Sequence, residues 1–381
     1  MPRTSGTKFH QPIHQAAFSG FLDMAKLLLE KDPTCAAVAR SDGVTAIWAA
    51  AQEGHLEVVR HLVSCPGIDV NAATTDTLRT PIHQAAENGH VDIVKLLLIV
   101  HAKHDQPDNE NITPLWSAAQ EGYDEIVQIL IDRGADKEII SPDGNRRPIH
   151  QAAQNGHLGV VKKLLEAGAK VDSHKDGYDN ETPSPLWLAA EEGHFEVAEL
   201  LIQKGADVNF PKYPSKRSPI HQAAQNGHIK VVRLLIENNA DVDAREEDGF
   251  SPLMLATLER HVDIISLLLE HGASVDAEEK DGMTALHIAS QEGHVQVIQK
   301  LLDEGAKSSA TRISRSRPIH FAAQNGHFEA VKLLLKLDPD DAHTETVDDF
   351  TPLCLASRGD TASHLEVARY LIDEYNAAVI P

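Results

Sequence analysis

Residues Pro148–His157 read PIHQAAQNGH, and the same ten residues return unchanged at Pro219–His228. Close copies stand at Pro81–His90 (PIHQAAENGH) and Pro318–His327 (PIHFAAQNGH). Working outward from these, Pro12, Ala46, Pro81, Pro114, Pro148, Pro185, Pro219, Pro252, Ala285, Pro318 and Pro352 open equivalent segments 33 to 37 residues apart. Eleven repeats at a fixed period point to a stacked solenoid, in which each repeat buries its apolar face only against its neighbours. They point away from an enzyme core built round one central cavity.

Each repeat follows one physical script. A Ser or Thr precedes the opening Pro in six repeats, as in Thr80-Pro81 and Ser218-Pro219. The hydroxyl caps a helix N-terminus, and Pro fits the first helical position, where its missing N–H costs nothing. A short Ala-rich helix follows, ending at a Gly such as Gly89, Gly156 or Gly227. A second helix shows apolar residues at helical spacing, as in Leu158, Val161, Leu164 and Leu165. Arg260 occupies the helix-ending Gly position in repeat eight, so a soft point is expected near Leu258–His261.

This script resembles the ankyrin repeat. The family's T-P-L-H-x-A-A appears as Thr80–Ala86 (TPIHQAA), and its G-A-D-V-N ending as Gly205–Asn209. The resemblance covers residues 8–378 as a single domain. Its repeats fall approximately at 8–39, 43–74, 79–109, 112–142, 146–175, 183–211, 217–246, 250–279, 283–312, 316–346 and 350–378. It implies an all-α solenoid of helix-turn-helix units with short β-hairpin tips. It also implies a non-catalytic scaffold that binds a partner protein or extended peptide along the concave face and the tips.

Composition narrows the class. The 381 residues carry a net charge of −22, which argues against a nucleic-acid partner, because phosphate binding needs clustered Lys and Arg. Three widely spaced cysteines suggest a reducing compartment, and no apolar run reaches transmembrane length. The expectation is a cytoplasmic protein, with the nucleus also open, not inserted in a membrane and monomeric on its own. Both terminal repeats look like caps. The last carries an insertion between Ser357 and His364, and repeat six carries three extra residues around Tyr178–Pro183.

Twenty-two histidines invite a catalytic or metal reading, but most recur at two repeat positions. One follows Pro-Ile (His14, His83, His150, His221, His320) and the other follows the helix-ending Gly (His55, His90, His157, His228). A ligand set needs convergent, non-repeating geometry, so these imidazoles are expected to bond neighbouring loop backbone. No H-E-x-x-H, P-loop, G-x-G-x-x-G or C-x-x-C occurs, and the acidic turn Asp176–Glu181 lacks the spaced oxygens of a calcium loop. No catalytic residue, cofactor or metal is expected.

Binding candidates come from the first helix, where the residues after the Pro-Ile-His triplet share one face at i, i+3 and i+4. They are Gln84, Glu87 and Asn88; Gln151, Gln154 and Asn155; Gln222, Gln225 and Asn226; and Phe321, Gln324 and Asn325. Alternate repeats replace the inner His by Trp, at Trp48, Trp116 and Trp187, so the larger period is a pair of repeats. Arg79, Arg146 and Arg217 stand just ahead of the amide-rich helices. We expect amides to hydrogen-bond a partner's backbone, Trp116 and Trp187 to anchor it, and Arg to pair its acidic side chains. Duplication of a two-repeat block would produce the same alternation without any ligand. A second function is also open. Asn71 and Asn209 lie in D-V-N contexts that look like the sites asparaginyl hydroxylases use on ankyrin proteins.

Overall fold

The computed structural model describes residues 12–141, 145–172, 181–310 and 314–377. Among these, twenty-two α-helices form eleven pairs, and the first helix of every pair starts at the residue marked by the repeat frame, from Pro12 to Pro352. The chain divides into two compact blocks, Met1–Pro185 with Gln203–Ala206 and Leu186–Ile202 with Asp207–Pro381. In the first block the helices Pro12–Phe18, Ala46–Gln52, Pro81–Glu87, Pro114–Glu121 and Pro148–Gln154 pack serially. In the second block, Pro219–Gln225, Pro252–Leu258, Ala285–Glu292, Pro318–Gln324 and Pro352–Ala356 do the same.

The Ala pairs explain the close stacking of first helices. Ala85, Ala86, Ala152, Ala153, Ala223 and Ala224 are wholly buried, and larger side chains there would hold the backbones apart. Second helices supply the bulk of the apolar volume, with Val58, Val59, Leu62, Leu97, Leu130 and Leu164 at the core. The terminal calls on residues 8–11 and 378, the acidic turn at Asp176 and the insertion at Tyr178 lie outside the described residues. The repeat-eleven insertion ends at Thr361, which caps the 14-residue helix Ala362–Tyr375.

Helix capping takes two forms. In repeats with Trp or Met at the inner position, the hydroxyl of Thr45, Thr113 or Ser251 accepts the backbone N–H three residues on, at 3.3 Å. In the His repeats the imidazole Nδ1 reaches back instead. It accepts the N–H of Thr80 at 3.1 Å, Arg147 at 3.1 Å, Ser218 at 3.2 Å and Arg317 at 3.0 Å. This is why Arg147 and Arg317 stand where a hydroxyl was expected: the ring does the capping.

Nδ1 acceptance leaves the proton on Nε2, which donates to the next repeat's loop. His14 reaches the carbonyl of Val44 at 3.1 Å, His83 that of Ile112 at 3.2 Å, and His320 that of Thr344 at 3.0 Å. Trp48 and Trp187 do the same work through Nε1, to the carbonyls of Arg79 (3.2 Å) and Arg217 (2.9 Å). The second set of imidazoles points the other way. His90, His157, His228 and His327 donate to carbonyls of the preceding first helix at 2.8–2.9 Å. Both sets are structural.

Tips differ from the expected hairpins. Among the described residues no strand forms, and the sole bridge is Lys212 with Arg217. The arms are too short for a ladder, and side chains take its donors. Asp108 Oδ1 accepts the N–H of Glu110 and Ile112, and Glu246 Oε1 accepts those of Asp248 and Phe250. Adjacent tips share a single backbone bond, such as Thr75 N–H to Asp42 O at 2.9 Å.

The helix-ending Gly has a steric role beyond its positive φ. A Cβ on Gly293 would lie 2.5 Å from the His327 ring, and one on Gly122 2.5 Å from that of His157. Arg260 does carry a Cβ at this position, with φ +62. The imidazole beyond it, His294, sits 3.3 Å from its carbonyl at Leu258, the longest bond of its kind here. Arg260→Gly should therefore stabilise the protein by about 0.5–1 kcal/mol, after the entropy cost of Gly is subtracted. Gly293→Ala should destabilise it by on the order of 2 kcal/mol. Urea unfolding checks both, and amide exchange at His261 should slow in Arg260→Gly.

The buried imidazoles predict a pH dependence. Burial pushes His83 and His221 down to about 4 and His150 down to about 3. The unfolded chain binds protons near 6.5 that the folded chain refuses. Their contribution is therefore complete above pH 6.5 and is lost as pH falls toward 4, at up to about 1.4 kcal/mol per unit for each ring. Urea unfolding of wild type should weaken steeply between pH 7 and 5. His221→Trp, which places a non-titrating N–H in the same slot, should flatten that slope by about 2 kcal/mol across the interval.

Candidate functional site

The expected binding residues all lie on first helices or on the tips ahead of them, but most are already engaged within the chain. Arg79 Nη1 donates to both Glu87 oxygens at 2.8 and 2.7 Å, and its Nε to Asp108 at 3.0 Å. Arg146 donates to Gln154 Oε1 at 2.6 Å, and Arg217 to Gln225 Oε1 at 2.7 Å. The Arg thus reaches the residue eight positions on, across its own first helix, whether that residue is Glu or Gln.

The Asn residues serve the scaffold through Nδ2. Asn88 and Asn325 donate to Gln84 O and Phe321 O in their own helices, at 2.9 Å. Asn155 and Asn226 donate to Gln120 O (2.8 Å) and Glu191 O (2.7 Å) of the preceding repeat. Gln151 is half-buried and Gln324 exposed, and Phe321 packs edge-on against His287 at 5.8 Å. Trp116 is half-buried with an unpartnered Nε1, since the Ser141 hydroxyl donates to the carbonyl of Arg146, the counterpart of Trp48's acceptor.

The two-repeat alternation has a structural counterpart at the tips. Ahead of the amide-rich helices the closing backbone bond spans five residues, Thr74 to Arg79, Ser141 to Arg146 and Lys212 to Arg217. Ahead of the others it spans four, Asp108 to Ile112 and Glu246 to Phe250. Long tips carry the Arg, and the following short tips carry a buried carboxylate that faces it: Arg79 with Asp108 (3.0 Å), Arg217 with Glu246 (3.8 Å). The sequence reading missed these carboxylates. Their signal was an acid four residues ahead of Ile112 and Phe250.

Two hollows result. In the first block, Trp48, Arg79 and Gln84 line one of about 300 Å³, together with Asp42, Asp76 and Asp108. In the second, Trp187, Arg217 and Gln222 line one of about 580 Å³, with Glu191, Glu246 and Lys212. Sequence placed three of the latter residues on three separate stretches, and the fold brings them together. The second hollow is floored by Trp187, which is 5 % exposed, with the Lys212 ammonium 5.0 Å from its ring centroid.

Asn71 and Asn209 stitch neighbouring tips. Asn71 Oδ1 accepts the N–H of Lys103, and Asn209 Oδ1 that of Asp241, both at 2.8 Å. Asp105, Asp243 and Asp276 hold the same place in their repeats. Among the described residues no group of three or more His, Cys, Asp or Glu is arranged to hold a metal ion, and no helix is long and apolar enough to cross a membrane.

Comparison with known proteins agrees with this geometry. A family model described as "Ankyrin repeats (3 copies)" matches residues 4–74, 73–141, 149–246, 220–312 and 308–380. The "Ankyrin repeat and KH domain-containing protein mask-1" of Caenorhabditis elegans is 32% identical over 125 residues, 32% of this chain and 5% of that protein. "Protein phosphatase 1 regulatory subunit 27" of Mus musculus is 36% identical over 94 residues, 25% of this chain and 60% of that one. The chain thus spans less than two thirds of either relative. Among solved structures, the human ASB11 ankyrin repeat domain aligns with TM-score 0.54 and 26% identity, covering 60% of this chain and 99% of that one. With the family model matched along nearly its whole length, the chain belongs to the ankyrin repeat family.

Proposed function

We propose that the chain is a non-catalytic scaffold that holds a partner protein on the face formed by its first helices and tips. The family's general use as a protein–protein interaction fold supports the coarse part of this reading. One observation supports the choice of face. Hollows combining aromatic, amide and charged lining occur there, at Trp48–Arg79–Gln84 and Trp187–Arg217–Gln222. The repeated imidazoles, by contrast, are consumed in bonds between repeats. Buried aromatic side chains beside charged groups are the composition of energetic hot spots.

The test compares two surface variants that leave the buried bonds intact. One carries Glu121→Arg, Glu192→Arg and Gln324→Arg, all exposed on first helices. The other carries Lys162→Glu, Glu196→Arg and Lys230→Glu, exposed on second helices. Capture of cross-linked proteins, quantified by mass spectrometry, should fall at least about tenfold in the first variant and stay at the wild-type level in the second. Equal capture by both variants would refute the assignment of the face.

A further inference from the structure

We infer that the hollow at Trp187 and Gln222 receives a basic side chain, lysine or arginine, from an extended segment of the partner. The inference rests on the tip-face reading above and deepens it. Gln222 is 7 % exposed, and its Nε2 donates to Glu191 Oε1 at 3.1 Å. That bond fixes the amide orientation, because a carboxylate accepts only from the nitrogen end. Oε1 is therefore the atom left to accept. It is buried and accepts no hydrogen bond from the protein, and Gln222 lines the hollow. A buried acceptor left without a donor is costly, and what it lacks is an N–H from outside.

The surrounding charge selects which donor. Glu191 and Glu246 line the interior, and Glu247 and Asp248 the rim. The two interior cations are already turned elsewhere. Lys212 lies over the Trp187 ring, and Arg217 donates to Gln225 while facing Glu246 at 3.8 Å. At the rim, Lys216 and Lys280 meet Glu247 and Asp248 at 2.9–3.7 Å, in exposed pairs that solvent screens and a ligand displaces cheaply.

The equivalent hollow in the first block has the same bias in stronger form. Asp42, Asp76, Asp108 and Glu110 line it, with Arg79 as the lone lining cation, clamped between Glu87 and Asp108. The expectation that these Arg side chains reach out to an acidic partner therefore reverses. Their charge is spent at home on Glu87, Asp108 and Glu246, and the carboxylates these pairs leave over outnumber the other cations that line either hollow.

The experiment uses the full chain and fluorescein-labelled pools of 12-residue peptides, each pool fixed at its central position as Lys, Arg, Leu or Glu. Fluorescence polarisation at constant salt reads the affinity. Lys and Arg pools should bind at least about tenfold tighter than Leu and Glu pools. Gln222→Leu, with its thermal midpoint checked, should erase most of that preference. Glu247→Lys with Asp248→Lys, on the exposed rim, should erase it without touching the interior. A preference for Glu or Leu pools, a basic preference that survives both variants, or no binding by any pool would overturn the inference. If the basic pools bind the three-arginine first-helix variant as well as wild type but lose the second-helix variant, the face itself is wrong. Binding on the tip face without basic preference would leave the face standing and remove only the lysine or arginine.

Discussion

Most joints between repeats depend on a ring N–H placed at the third position of a first helix and aimed at a carbonyl of the next loop. Imidazole and indole meet this demand equally well, as His83 and Trp187 show, because both hold a donor at the far edge of a flat ring. The loop carbonyl is otherwise a buried acceptor with nothing to satisfy it. Once this bond is made, the loop is pinned, the tip that grows from it is placed, and the next first helix starts at the right height. The imidazole that follows most helix-ending Gly residues answers from the opposite direction, so most joints are held twice.

The alternation of His and Trp repeats is tied to the tips through this same bond. Trp48 and Trp187 donate to the carbonyl of an Arg that closes a five-residue tip, and the same Arg extends to the carboxylate of the tip beyond. A two-repeat period is therefore a mechanical unit: long tip with a cation, short tip with an acid. This accounts for much of the Arg on one edge of an acidic chain without any ligand. On the reading proposed above, a ligand would meet the remainder, the acceptors and carboxylates that these pairs leave over.

The fold was legible in sequence because its signals are local. Pro at the first helical position, Ala pairs and the terminal Gly each act within one repeat, and eleven copies repeat them. The two capping modes were not legible, since they turn on whether Nδ1 of His150 reaches back to Arg147, a matter of rotamer. The tips were read as hairpins because strand pairing was assumed where Asp108 and Glu246 side chains take the donors instead. At the site, spacing did not show that several of the named side chains are engaged within the chain. Gln222 and Arg217 could be placed on one face by spacing, but their partners Glu191 and Glu246 stand about thirty residues away on either side.

One joint has lost one of its fastenings and keeps the other lengthened. Met254 stands where a ring would donate forward, and its sulfur accepts the Ser251 N–H within its own repeat. Arg260 stands where Gly would admit the ring behind it, and His294 is held off accordingly. Between repeats eight and nine the helices keep only that 3.3 Å bond from His294 to the Leu258 carbonyl beside their apolar contact, while the loops keep their ties from Lys280 to Asp248 and from Lys307 to Asp276. In a linear assembly strain collects at the weakest link. An array that begins to part is therefore expected to do so here, on the helix side before the tips.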